Sequence, residues 1–110
     1  MPDKTDKTLD SIIGLMVTGV INNYMDRTLT LTLNNDERLI FFDCKLIFDL
    51  GITGHKIGEI SSDAGLGMAL ELKKYSIDPN AYQMCSISKD FNDYMNKNEI
   101  RIAYDYYEFE

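Results

Sequence analysis

The amino-acid sequence predicts a mainly β protein: an antiparallel sandwich, half-barrel or small barrel of seven to eight strands with little helix. Three observations lead there. Apolar and polar residues alternate with period two over much of the chain. Clusters of Asn, Asp, Gly and Pro separate the alternating runs at short intervals. The central stretch 51–65 holds too many glycines for a helix.

The elements follow in order. Leu9–Val17 is compatible with a helical turn or a strand, and Thr18–Met25 continues extended. In RTLTLTL (27–33), Leu29, Leu31 and Leu33 alternate with Thr28, Thr30 and Thr32, which is a half-buried strand. NNDE (34–37) supplies hairpin chemistry, because Asn and Asp tolerate positive φ and bond their own backbone. RLIFFDCKLIFDL (38–50) is then a long strand bent near Asp43, with Ile40, Phe42, Cys44, Leu46, Phe48 and Leu50 expected inside. A loop runs through Gly54, and a short strand from about Lys56 to Ser61 is expected to bulge at Gly58.

LGMALELKKY (66–75) pits two signals against each other. Its residue types favour helix, whereas Leu66, Met68, Leu70 and Leu72 fall at period two; weighting the period predicts a strand. SIDPN (76–80) is a turn around Pro79, YQMCSIS (82–88) a short strand, and the Asn- and Asp-rich 89–99 a loop or one helical turn. IRIAYDYYEF (100–109) is the last strand. Ile100, Ile102, Tyr104 and Tyr106 are expected inward, with Arg101, Ala103, Asp105, Tyr107 and Phe109 on the other face.

A chain of 110 residues with 45% hydrophobic and 26% charged content is one globular domain able to bury its own core. The reading is a flexible lead over 1–8 and a single β-rich domain over 9–110, with no repeat or linker. Acids outnumber bases 18 to 11, a net charge of −7 that repels phosphate backbones and argues against nucleic acid as a direct partner. The opening MPDKTDKTLD lacks a signal-peptide core, and the most apolar run, 12–21, is too short to span a bilayer. No membrane association is therefore expected, and a cytoplasmic location is. Cys44 and Cys85 lack Cys-x-x-Cys spacing and are expected as buried free thiols rather than a disulfide.

The residues offer little for catalysis. His55 is the single histidine, with no nucleophile signature beside it, and it reads as a solvated turn residue. Zinc would have only His55, Cys44 and Cys85 to draw on, and Asp90–Glu99 departs from a calcium-loop pattern; no metal, cofactor or catalytic residue is predicted.

The closing RIAYDYYEFE is the informative segment: three tyrosines, a phenylalanine and three acids share ten positions. From Asp90 to Glu110 six acids face Lys97 and Arg101, a local −4 within the total of −7. Rings carry rigid contact area and adjacent carboxylates recognise Arg or Lys, so the pairing fits a docking patch for a basic protein. The candidate partner-binding residues are Asp105, Tyr107, Glu108, Glu110, Asp90 and Asp93, widened by Asp43 and Asp49. The competing explanation is that tyrosines form strands well and acids keep an edge strand from aggregating.

The run LIFFDCKLIFDLGITGHKIGEISS followed by NEIRIAYDYY resembles small β-rich immunity proteins of bacterial contact-dependent inhibition and related polymorphic toxin systems. The matching positions are Phe42, Asp43 and Cys44, then Ile100, Ile102 and Ala103, and the likeness covers about half of the chain. It implies a cytoplasmic inhibitor of an effector's toxin domain, often a nuclease, and transfers no site residue. On this reading the protein is a non-enzymatic monomer or weak homodimer. A small-ligand barrel or small enzyme is the alternative, and an assembly subunit pairing through a strand edge is a third.

Overall fold

The computed structural model describes residues 8–62, 66–89 and 98–110. It is mainly β, as predicted. A 3-10 turn at Leu9–Ile12 precedes β1 (Val17–Asn23), β2 (Thr28–Leu33), β3 (Arg38–Phe42), β4 (Leu46–Asp49) and β5 (Ile57–Ser61). Helix α1 (Leu66–Lys74), a 3-10 turn at Pro79–Ala81, β6 (Gln83–Lys89), β7 (Glu99–Tyr104) and β8 (Tyr106–Phe109) complete the chain. The strands form two antiparallel four-stranded sheets, β1-β2-β3-β8 and β4-β7-β6-β5. The predicted lead over 1–8 lies, except for Thr8, outside the described residues, as do residues 90–97 of the predicted 89–99 loop.

Two bent ribbons turn one sheet into the other. β3 pairs with β8 through Phe42↔Tyr106, and β4 pairs with β7 from Leu46↔Ala103. Between those pairs, three residues (43–45) face two (104–105), so the β3–β4 strand carries a bulge where it changes sheets. Asp43 absorbs the bend with φ 51, and the Asp105 N–H donates to Phe42 O at 3.0 Å on the facing strand. At the opposite corner, Gly14–Val17 pairs with Gly54–Ile57: Gly14 N–H donates to Ile57 O at 2.8 Å and Gly54 N–H to Val17 O at 2.7 Å. Gly14 and Gly54 sit at φ 95 and 87, which explains glycine at both places.

The core lies between the sheets. Leu29, Leu31, Leu39 and Phe41 from the first sheet meet Cys85, Ile87, Ile100 and Ile102 from the second, all fully buried. Each such side chain contributes roughly 1.5–3 kcal/mol of transfer free energy. A smaller cluster lies on the other side of the second sheet, where α1 sets Leu72 against Ala103, Leu46, Phe48 and Met84.

Three expectations are corrected. Residues 66–74 are helical, not a strand. Leu70 is 50% exposed while Leu72 is fully buried, so the period-two leucines do not share a face, and the helix-forming residue types prevail. In β3 the inward residues are Leu39 and Phe41, and the expected Ile40 and Phe42 point outward. The last strand breaks at Asp105, which reverses the alternation beyond it: Tyr106 is 47% exposed, whereas Phe109 is buried and Tyr107 packs on the core. The bulge predicted at Gly58 is present, with the β5–β6 register shifting between Ile57 and Glu59.

Candidate functional site

The outer face of the first sheet follows from its register. With Leu29, Leu31, Leu39, Phe41 and Phe109 turned into the core, the alternate residues must face away. Ile21, Thr30, Ile40 and Glu108 fall in one cross-strand row. Phe42 and Tyr106 pair beside it, their rings stacked with centroids 4.7 Å apart and planes within 9°. On the far side, Thr32 sits opposite Arg38, and Thr18 and Thr32 share a 2.9 Å hydroxyl hydrogen bond. The face is thus flat, threonine-floored and crossed by an apolar strip, with Ile21 58% exposed.

The β1–β2 hairpin extends that strip. Asn23 Oδ1 accepts from the N–H groups of Met25 and Asp26, and its Nδ2 donates to Asp26 Oδ2 at 2.9 Å. This turn holds Tyr24 and Met25 out in solvent, 83% and 93% exposed. Cys44 N–H donates to Arg27 O at 2.9 Å, which ties the hairpin to the β3–β4 bend beside Phe42. Two large apolar side chains are therefore held at the same end of the sheet as the stacked rings.

The predicted site residues divide. Asp105 and Glu108 are exposed on β8 or its entry, and neither has an ion-pair partner among the described residues. Asp43 sits opposite Asp105 at the bend but is engaged by Lys45 Nζ at 3.1 Å and Arg27 Nη1 at 3.7 Å. Glu110 follows β8 and meets Arg38 at 3.8 Å. Asp49 does not belong here: it ends β4 in the second sheet, where its Oδ1 accepts the Gly51 N–H at 3.0 Å and closes a turn. Tyr107, expected outward, is half-buried against Phe41, Tyr104 and Phe109. Its place outside is taken by Tyr106. Asp90 and Asp93 lie outside the described residues.

The sequence reading missed Ile21, Tyr24, Met25, Ile40, Phe42 and Tyr106. The one usable signal was RLIFF itself. A strand apolar on both faces needs two covers or leaves one face bare, and pattern alone does not say which.

The remaining reactive groups are quiet. Cys44 and Cys85 are free thiols. Burial, aided by the Asp43 charge, pushes Cys44 up to about 11, although a backbone hydrogen bond to Leu29 opposes this. Burial pushes Cys85 up to about 12, with the neighbouring Cys44 adding to the shift. Both are therefore protonated and poorly nucleophilic at neutral pH. His55 is half-buried in a turn, its carbonyl accepting from Val17 N–H at 3.1 Å. Among the described residues, no group of three or more His, Cys, Asp or Glu is placed to hold a metal ion, and no helix is long and apolar enough to cross a membrane.

Comparison with protein-family models, curated proteins and solved structures finds no match to this chain.

Proposed function

We propose that the outer face of the first sheet is a docking surface for a basic protein, and that the chain acts as a stoichiometric immunity protein that blocks the nucleic-acid-binding or active-site cleft of a toxin domain. One observation carries this reading: a stacked pair of half-buried Phe42 and exposed Tyr106, flanked by two carboxylates, Asp105 at the entry to β8 and Glu108 on it, that no cation within the described residues neutralises. Rings in the middle and charges at the margin reproduce the anatomy of a protein interface, in which aromatic anchors supply affinity and peripheral charge supplies approach rate and selectivity. The net charge of −7 makes a cationic partner the complementary one. A nuclease domain fits that description, because a cleft built for phosphates and stacked bases accepts carboxylates and aromatic rings in their place. Protection of this kind requires nanomolar affinity, about −12 kcal/mol.

The test mixes the protein with a candidate basic toxin domain of nuclease type. Stopped-flow association should slow steeply with salt. Asp105→Lys combined with Glu108→Lys should slow it about tenfold or more at low salt. Tyr106→Ala should raise the dissociation rate and weaken binding about thirtyfold, equivalent to roughly 2 kcal/mol at a hot spot. Association indifferent to salt and to the double charge reversal would remove the electrostatic basis; retained affinity in Tyr106→Ala would remove the anchor.

A further inference from the structure

A second opening lies on the inward side of β8, away from the bare face. The first 3-10 turn, the end of β5 and the start of β6 leave a cleft of about 340 Å3 beside the last strand, lined in part by Asp10, Ile60, Ser62, Gln83, Tyr104 and Tyr107. Tyr104 is only 3% exposed, yet it borders this cleft, and its hydroxyl has no hydrogen-bond partner among the described residues. That hydroxyl is not sealed from solvent: among the described residues the single buried side-chain polar atom without a partner is Arg101 Nε, so the Tyr104 oxygen opens to the cleft and is free to bond a ligand there. Burial also raises its pKa well above the phenol range, with smaller contributions from Cys85 and Tyr107, so the hydroxyl stays neutral at physiological pH.

The chemistry of the lining points one way. Tyr104 and Tyr107 meet edge to face, centroids 6.2 Å apart at 65°, and the half-buried Tyr107 presents the more open ring. Gln83 spends its Nε2 donor on the Asp105 carbonyl at 2.8 Å, leaving Oε1 as an acceptor. Among the described residues of the lining, Asp10 is the single formally charged one, and none is Lys or Arg. Acceptors, π surfaces and one carboxylate suit a planar cation carrying several N–H donors, which stacks on a ring while bonding to oxygen.

We infer that this cleft is a binding site for a guanidinium group, as carried by arginine. The group has two sources, the free amino acid and an arginine side chain presented by another protein, and both share this chemistry. The inference is independent of the docking reading, because Tyr106 and Glu108 point to the opposite side of β8.

The experiment is a heteronuclear NMR titration of the full chain with Nα-acetyl-arginine amide and, in parallel, its neutral isostere Nα-acetyl-citrulline amide. Shift changes should centre on Gln83, Tyr104 and Tyr107, with the citrulline compound about tenfold weaker. Tyr104→Phe keeps the ring and removes the unpartnered hydroxyl; Asp10→Asn removes the charge at an exposed position. Each should weaken arginine binding about tenfold with the amide spectrum otherwise preserved, and Glu108→Lys should leave the titration unchanged. Free L-arginine and a Gly-Arg-Gly peptide separate the sources: equal or tighter binding of the amino acid assigns the metabolite, and tighter binding of the peptide assigns a protein side chain. Equal binding of the arginine and citrulline amides, shifts located elsewhere, or undiminished binding in Asp10→Asn would each overturn the inference.

Discussion

The two sheets present outer faces built from comparable residues and finished in opposite ways. On the second sheet, Leu46, Phe48, Ala103 and Met84 form an outward apolar patch, and α1 with Ile77 lies over it and seals Leu72 completely. On the first sheet, Ile21, Ile40, Phe42 and Tyr106 form a patch of similar character, and no described element covers it. A sandwich needs apolar residues only on the faces that meet. The covered patch therefore belongs to the fold, whereas the bare one costs solubility and adds nothing to the core. On the reading proposed above, this uncovered patch is where a partner docks.

The sharpest way to break this comparison is to truncate one residue on each face. Leu72→Ala should cost about 2–5 kcal/mol, because it opens a void between α1 and the second sheet. Tyr106→Ala should cost less than about 1 kcal/mol, as it forfeits one ring stack on an open surface. Urea denaturation of both variants measures the difference. Equal losses would mean that the bare face is structural and that the docking argument has misread it.

The hinge between the faces gives the next effect. Asp43 adopts φ 51 where the strand changes sheets. A β-branched side chain is strained there, so Asp43→Val should lose about 1–3 kcal/mol, while Asp43→Gly relieves the strain and forfeits an exposed ion pair to Arg27 and a partly buried one to Lys45. Thermal melts should rank the proteins with glycine near wild type and valine well below. Valine matching glycine would show that backbone strain is not what holds aspartate at the bend.

How much of this was legible follows from the same residues. Leu29, Leu31 and Leu33 alternate cleanly with threonines, and that strand, its hairpin and its buried face were readable, as was the bend at Asp43. The apolar strip on the outer face of the first sheet was not. In Arg38–Phe42 both faces are apolar, so parity carries no information, and Leu39 and Phe41 go in because β2 fixes the register. At Asp105 the last strand itself breaks step, its core residues passing from Ile100, Ile102 and Tyr104 to Tyr107 and Phe109, and that slip of one residue exchanges Tyr106 for Tyr107. Asp105, Glu108 and Glu110 could be named as candidates because charge needs no parity to be recognised. The helix at 66–74 was misread because four apolar residues at period two imitated a strand.

The core between the faces contributes a pH dependence. Cys44 and Cys85 are raised by burial from 9.0 to about 11 and about 12, so the folded state holds thiol protons that the unfolded state releases. The associated stability is fully present below about pH 9 and declines as pH rises toward 11 and 12. The urea midpoint should therefore be flat from neutral pH to about 9 and fall above it. Iodoacetamide at neutral pH should label both cysteines far more slowly than it labels the unfolded chain. Rapid labelling of Cys44 in the folded protein would show the second sheet's edge to be more open than its packing implies.

The smallest stability effect, and the most telling, belongs to Ile21→Thr. Ile21 stands across from Thr30 on the bare face and is 58% exposed. Threonine keeps the β-branched shape that suits a strand and takes little apolar area out of contact with protein, so folding stability should change by less than about 0.5 kcal/mol. It nevertheless stands at the β1 end of the Ile21–Thr30–Ile40–Glu108 row, whose other end adjoins the stacked rings. Affinity for the basic partner should fall about five- to tenfold through a faster dissociation rate, with the salt dependence of association untouched. That split, unchanged folding with weakened binding, is what separates a residue kept for a partner from one tolerated at the surface. Binding that survives Ile21→Thr undiminished would confine the interface to β3 and β8 and leave β1 outside it.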